Sequence, residues 1–149
     1  MDAVTYPKQN VIDELDKHVV PVRIAFDNPF AAAYRVKWTP NLLFLDQDKQ
    51  VHHRIIGFLP AEELIPAILL GTGKTYLEID DLNRAIGLLT EVFEKHPQSF
   101  AAPQAVYFHG VCHYKQTHEA DPLKKAEEKL RAKYPDSEWT QRAAPYKLL

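Results

Sequence analysis

Between residues 109 and 118 the sequence gathers His109, Cys112, His113 and His118. His109 and His113 stand four apart, on one face of a helix, and imidazole and thiolate are the ligands zinc prefers. A closed zinc site takes four ligands at tighter spacings, so no metal is expected here. Cys112, beside Gly110, reads instead as a small buried apolar residue. It is the only cysteine in the chain, so no internal disulfide can form. Neither a helix N-terminus nor a fixed base is placed to lower its pKa, and no catalytic residue or cofactor is assigned. His52 and His53 are adjacent in a strand and point to opposite faces, one of them toward solvent, with no catalytic role needed. The acidic pairs Glu62-Glu63 and Asp80-Asp81 read as helix-start charges. Trp38-Thr39-Pro40 precedes an apolar strand. Trp38 either anchors a peptide-binding surface or caps the core, ahead of a Thr-Pro corner that opens an apolar strand.

The elements that must position these residues follow from periodicity. Val11, Ile12, Leu15 and Val19 recur at helical spacing between Pro7 and Pro21, which predicts an amphipathic helix. Val20 to Phe26 is expected as a strand. Asp27-Asn28-Pro29 starts a helix over Phe30 to about Val36. Asn41 to Asp46 and Val51 to Phe58 form a hairpin across Gln47-Asp48-Lys49-Gln50. Pro60 opens a further helix, which Pro66 should kink and Gly71 should close. Gly71-Thr72-Gly73-Lys74 then marks a boundary between residues 1–71 and 76–149. Beyond it Leu82, Ala85, Ile86, Leu89, Val92 and Phe93 share one face of a helix, and two more helices cover Pro103 to about Gln116 and Asp121-Pro122 to Tyr134. Glu94-Lys95-His96-Pro97-Gln98-Ser99 returns as Ala132-Lys133-Tyr134-Pro135-Asp136-Ser137. Helical hairpins repeating in this way resemble tetratricopeptide-type units. Tyr107, Tyr114, Tyr134 and Trp139 are expected to pack between them.

With net charge −2 and 46% hydrophobic residues, the 149-residue chain has the composition of an ordinary globular protein. No basic stripe argues for nucleic acid. The longest apolar stretch, Leu64 to Leu70, falls well short of the ~20 residues of a membrane span. Met1 to Pro7 lacks the basic and apolar regions of a secretory signal, so a cytoplasmic location is expected.

The order helix, strand, helix, Thr39-Pro40, hairpin, helix resembles the thioredoxin-like proteins. Asp2-Ala3-Val4-Thr5-Tyr6-Pro7, Gln104-Ala105-Val106-Tyr107-Phe108-His109-Gly110-Val111 and Tyr134-Pro135-Asp136-Ser137-Glu138-Trp139 resemble members of that family with a C-terminal tetratricopeptide segment. The resemblance implies an α/β thioredoxin-like fold, truncated at its N-terminus, followed by an all-α repeat module. It also implies a cis bond at Thr39-Pro40, with Thr39, Pro40 and Trp38 facing a protein or peptide client. Two departures stand out: the central strand with its Cys-x-x-Cys pair is absent, and Lys49 occupies a turn position where the family has glycine. A protein-interaction or chaperone-like factor, inactive in redox chemistry, is therefore expected. The alternative is the C-terminal part of a thiol–disulfide oxidoreductase whose Cys-x-x-Cys lies upstream of Met1. Strands left without their central neighbour suggest a homodimer as a second way to cover the sheet edges.

Overall fold

The computed structural model describes all 149 residues and is mostly helical, with seven α-helices and one two-stranded antiparallel sheet. Turns over Asp2 to Pro7 lead into α1 (Gln9–His18), whose buried contact is Val11. Buried Thr5 fixes that entry by donating from its hydroxyl to the Leu59 carbonyl at 2.8 Å. The helix α2 (Pro29–Ala33) begins as its sequence requires, with the Asn28 side chain accepting from the Phe30 amide and Pro29 in the first turn. It ends at Ala33, short of Val36, where Arg35 turns to φ +53°.

Strands β1 (Asn41–Leu45) and β2 (Val51–Ile56) form the expected hairpin, with Asn41 opposite Ile56 and Phe44 opposite His53. A register irregularity follows Phe44, so Leu45 pairs with Val51. In the turn, Lys49 adopts φ +63°. An L-residue side chain in that region crowds its own carbonyl at a cost of roughly 1–2 kcal/mol, which glycine avoids. The greater freedom of an unfolded glycine offsets part of that relief. Lys49→Gly is therefore expected to raise stability by about 0.5 kcal/mol, read as a higher urea midpoint at unchanged slope.

The expected strand over Val20 to Phe26 does not form. From Val20 to Ala25 the chain runs without helix, turn or bend, and it joins no sheet. The residue types suit a strand, yet a strand is completed only by a neighbour that takes its main-chain hydrogen bonds. None is present: β1 bonds only to β2, and the segment is tied down at Val19, against the α1–α3 cluster, by an Arg23–Asp2 ion pair at 2.8 Å and by the Asn28 amide donating to the Ala25 carbonyl at 3.1 Å.

A second correction concerns Gly71. Helix α3 (Ala61–Glu78) does not close there but continues through Gly71-Thr72-Gly73-Lys74, so residues 71–76 form no linker. Pro66 also lies inside the helix, fully buried, without ending it. Both glycines serve packing. A Cβ on Gly71 would fall 2.6 Å from Phe44 ring atoms, and one on Gly73 would fall 3.2 Å from Leu89. Every residue from Leu64 to Gly73 is buried because α3 is central, touching α1, both strands, α4 and α5. Its N-terminal half joins Val11, Ala61, Leu64, Ile65 and Ile68 into a small cluster, with Leu42 and Val19 packed on it. Its C-terminal half enters the main core with Leu89, Val92, Ala105 and Leu130.

The remaining helices are α4 (Leu82–Lys95), α5 (Ala101–Thr117), α6 (Asp121–Lys133) and α7 (Glu138–Ala143), with a final 3-10 turn over Ala144–Leu148. Asp81 caps α4 by accepting from the Arg84 amide, and His118 ends α5 in the left-handed conformation. The two helical pairs α4–α5 and α6–α7 turn at the two Pro-x-Ser corners found in the sequence. Tyr134 joins the corners by donating to the Pro97 carbonyl at 3.0 Å. Tyr107, Trp139 and Tyr146 pack together, with ring centroids 5.2 and 5.6 Å from Tyr107. Tyr114 does not share in this packing and is exposed. Gly110 lets α5 approach α6, since a Cβ there would lie 2.6 Å from the Ala126 methyl. Gly110→Ala is accordingly expected to cost about 2 kcal/mol by overpacking, measurable by chemical denaturation.

Candidate functional site

The Thr39-Pro40 corner is held by β2. The Gly57 amide donates to the Pro40 carbonyl at 2.9 Å, and the Thr39-Pro40 peptide is cis. The Gly57–Pro40 hydrogen bond also sets the parity of the hairpin. Pairs two residues apart share a bonding edge, so Leu42 and Phe44 turn their main chain toward β2 while Asn41 and Leu43 turn theirs to the open side. No strand occupies that side. At its start the Asn41 side chain donates to the Trp38 carbonyl at 3.4 Å, while Asn41 Oδ1 is buried with no hydrogen-bond partner.

Of the two readings open for Trp38, the core cap is not what the fold makes: the side chain is 69% exposed. Ile56 and Phe58, on either side of Gly57 and so across from Pro40, are exposed as well. The corner is thus an apolar surface beside an unfilled main-chain edge. It matches what an extended polypeptide needs, which is backbone partners flanked by apolar contacts.

Cys112 is not brought to this corner. It lies fully buried in the helical core, and α5 touches neither strand. Burial pushes its thiol up to about 11. Since the thiolate is the reactive form, native Cys112 is expected to react with a disulfide reagent at pH 7 at least about 100-fold more slowly than free cysteine, and at the ordinary rate once unfolded in guanidinium. The three nearby histidines do not assemble around it as ligands, and no group of three or more potential ligands comes together anywhere in the molecule. His109 instead packs its ring edge on Phe93 and lies 4.5 Å from the His113 ring.

The two strand histidines do point to opposite faces, and both are half-buried. His52 pairs with Asp46 at 2.8 Å, and that contact, with the Gln50 amide, holds the Asp46 carboxyl below its usual range. His53 turns inward against Phe44 and accepts from Lys74 Nζ at 3.0 Å. Burial, and next the Lys74 charge, bring its pKa down to about 4. Lys74 also lies over the Phe108 ring, 5.0 Å from its centroid. This Phe44–His53–Lys74–Gly71 junction, where the hairpin meets the helices, was not singled out from sequence. Its one sequence signal is a pair of glycines inside an apolar run. Glu62 and Glu63 stand in the first turn of α3 and Asp81 at the start of α4, as expected, whereas Asp80 pairs instead with Lys115 on α5 at 2.6 Å; Glu62 also meets Lys8, and Glu63 accepts from the Phe100 amide at 3.0 Å, tying α3 to the start of α5.

The fold and corner define a mostly helical protein with a small hairpin and an uncovered apolar edge. No protein-family model, curated protein or solved structure matches this chain. No helix is long and apolar enough to cross a membrane.

Proposed function

We propose that this chain is a thioredoxin-like protein with a tetratricopeptide-type helical segment, acting as a cytoplasmic protein-interaction or chaperone-like factor that holds extended, apolar stretches of client proteins without redox catalysis. The observation that carries this reading is the uneven distribution of exposed apolar side chains. Twelve of the seventeen large exposed hydrophobics lie before Leu59, in the small α/β half. An uncovered surface of that kind marks an interaction site more often than a free surface. Trp38, Ile56 and Phe58 supply the side-chain contacts beside Thr39 and Pro40, and the Asn41–Leu43 edge supplies main-chain partners. Buried Cys112 supports the redox-inactive part, because a single inaccessible thiol has no partner with which to release a mixed disulfide.

Binding of fluorescein-labelled reduced, carboxymethylated lactalbumin, followed by anisotropy, tests the proposal. Saturable binding that weakens about tenfold in Trp38→Ala is expected, since buried aromatic anchors carry interface energy out of proportion to their number. Trp38→Ala should leave the unfolding midpoint unchanged because the ring is exposed. Absence of binding, or binding indifferent to Trp38, would defeat it. Turnover of insulin disulfides that is lost in Cys112→Ser would instead establish redox catalysis.

A further inference from the structure

We propose that Val20–Phe26 is a dimerisation strand, which pairs antiparallel with the same segment of a second copy of this chain. The proposal goes beyond client binding at the Trp38 corner and uses different residues. Val20, Val22, Ile24 and Phe26 are 89, 74, 46 and 58% exposed. Their spacing of two is that of one edge and one face of a strand. The main-chain amides and carbonyls of all four lack any hydrogen-bond partner within the chain. On the opposite edge Pro21 has no amide hydrogen to donate, and the Ala25 carbonyl already accepts from Asn28. Only the edge of the even-numbered residues is complete: it offers a donor and an acceptor at Val20, Val22 and Ile24, and Phe26 follows at the turn that ends the extended run.

An edge of that kind is satisfied by another strand, and a second copy is matched to it. The two-fold of an antiparallel pair brings identical edges together, each filling the other's donors and acceptors. The charges exclude one register, and side-chain pairing favours another. Centred on Arg23, the pairing would set Arg23 directly against its counterpart, which like charges disfavour. Centred on Ile24, it sets Ile24 against Ile24, Val22 against Phe26 and Arg23 against Ala25. This leaves Arg23 in its ion pair with Asp2 and joins β-branched to aromatic side chains, the favoured cross-strand combination. A single strand pair covers less than the roughly 800 Å² per partner of a standard interface, so the dimer is expected to form reversibly with concentration.

Sedimentation equilibrium of the full chain tests this. The mass should rise from 17.1 kDa toward twice that value as concentration increases. Ile24→Lys, which puts two like charges on the axis, should hold the protein at the monomer mass with an unchanged far-ultraviolet spectrum. Oxidative cross-linking reads the register. Ile24→Cys should form a covalent dimer, because a hydrogen-bonded antiparallel pair places its Cα atoms about 5.5 Å apart, within disulfide reach. Arg23→Cys, and Lys49→Cys in the hairpin turn, should remain monomeric on reducing-agent-free gels. A wild-type monomer at all concentrations, a dimer that survives Ile24→Lys, or cross-linking at Arg23→Cys in place of Ile24→Cys would each overturn the proposal. If the wild type stays monomeric yet binds the labelled client, only the dimer fails and the client-binding reading stands.

Discussion

Gly71→Ala is expected to destabilise the protein by about 3 kcal/mol, far more than alanine for glycine inside a helix would suggest. By intrinsic preference the change should favour α3, since alanine is better in a helix interior by roughly 1 kcal/mol. Packing reverses the sign. The new methyl would meet three Phe44 ring atoms at 2.6–2.7 Å, closer than carbon atoms can approach. The ring has little room to yield: it is buried and sits against His53, on a strand held by β2. Forcing a methyl into a filled site costs about 1–3 kcal/mol, and displacing the hairpin from α3 exposes further apolar surface. Equilibrium unfolding in urea measures the loss. Phe44→Leu alone should destabilise, yet in the Gly71→Ala background it should recover part of the stability, because the smaller side chain makes room for the methyl. A double-mutant cycle with no favourable coupling would show that the two residues do not meet in solution.

Acidification should produce a loss of similar size that begins well above the pH range in which carboxylates titrate. His53 and His109 are both held down to about 4, chiefly by burial, with Lys74 beside the first and His113 and Lys129 beside the second. Their unfolded-state pKa is the ordinary value near 6.5, so between pH 6.5 and 4 the unfolded chain binds more protons than the native one. Stability therefore rises with pH across that window; it is complete above about 6.5 and is lost as pH falls toward 4. After allowance for the solvent that reaches each ring, the loss is about 2 kcal/mol per histidine, a large share of the roughly 5–15 kcal/mol that holds a domain folded. The His53→Gln, His109→Gln double variant should remove most of the slope of unfolding free energy between pH 6.5 and 4. A slope unchanged in that variant would locate the acid sensitivity elsewhere. Asp46, Glu62 and Glu91 have lowered pKa values, so their contribution is lost only at more acidic pH, as pH falls through their native values.

Local chemistry was legible in the sequence wherever neighbours in the chain decide the outcome. The hairpin, α4 with its apolar face, the Asn28 cap and the two Pro-x-Ser corners were readable because periodicity and capping act within a few residues. The same local reasoning placed Cys112 as a buried residue of a packed helix. For Trp38 it could not choose between an exposed tryptophan and a core cap. That choice depends on what else reaches the ring.

Only the tertiary structure decided the rest, and the reason is the same each time: the deciding partner is distant in sequence. Gly71 looks like a helix stop until Phe44, 27 positions earlier, is found against it. His53 looks like an ordinary strand histidine until Lys74 and Phe44 close over it. Val20 to Phe26 has the composition of a strand but remains unpaired, because alternating apolar residues create the capacity for a ladder and only a second strand creates the ladder itself. The sequence by itself determined where helices and turns begin and which residues favour burial. The meeting of the hairpin with α3 determined that Gly71 cannot change and that His53 stays neutral, the packing of α5 against α4 and α6 did the same for Gly110 and His109, and the lack of a third strand left the outer edge of β1 open.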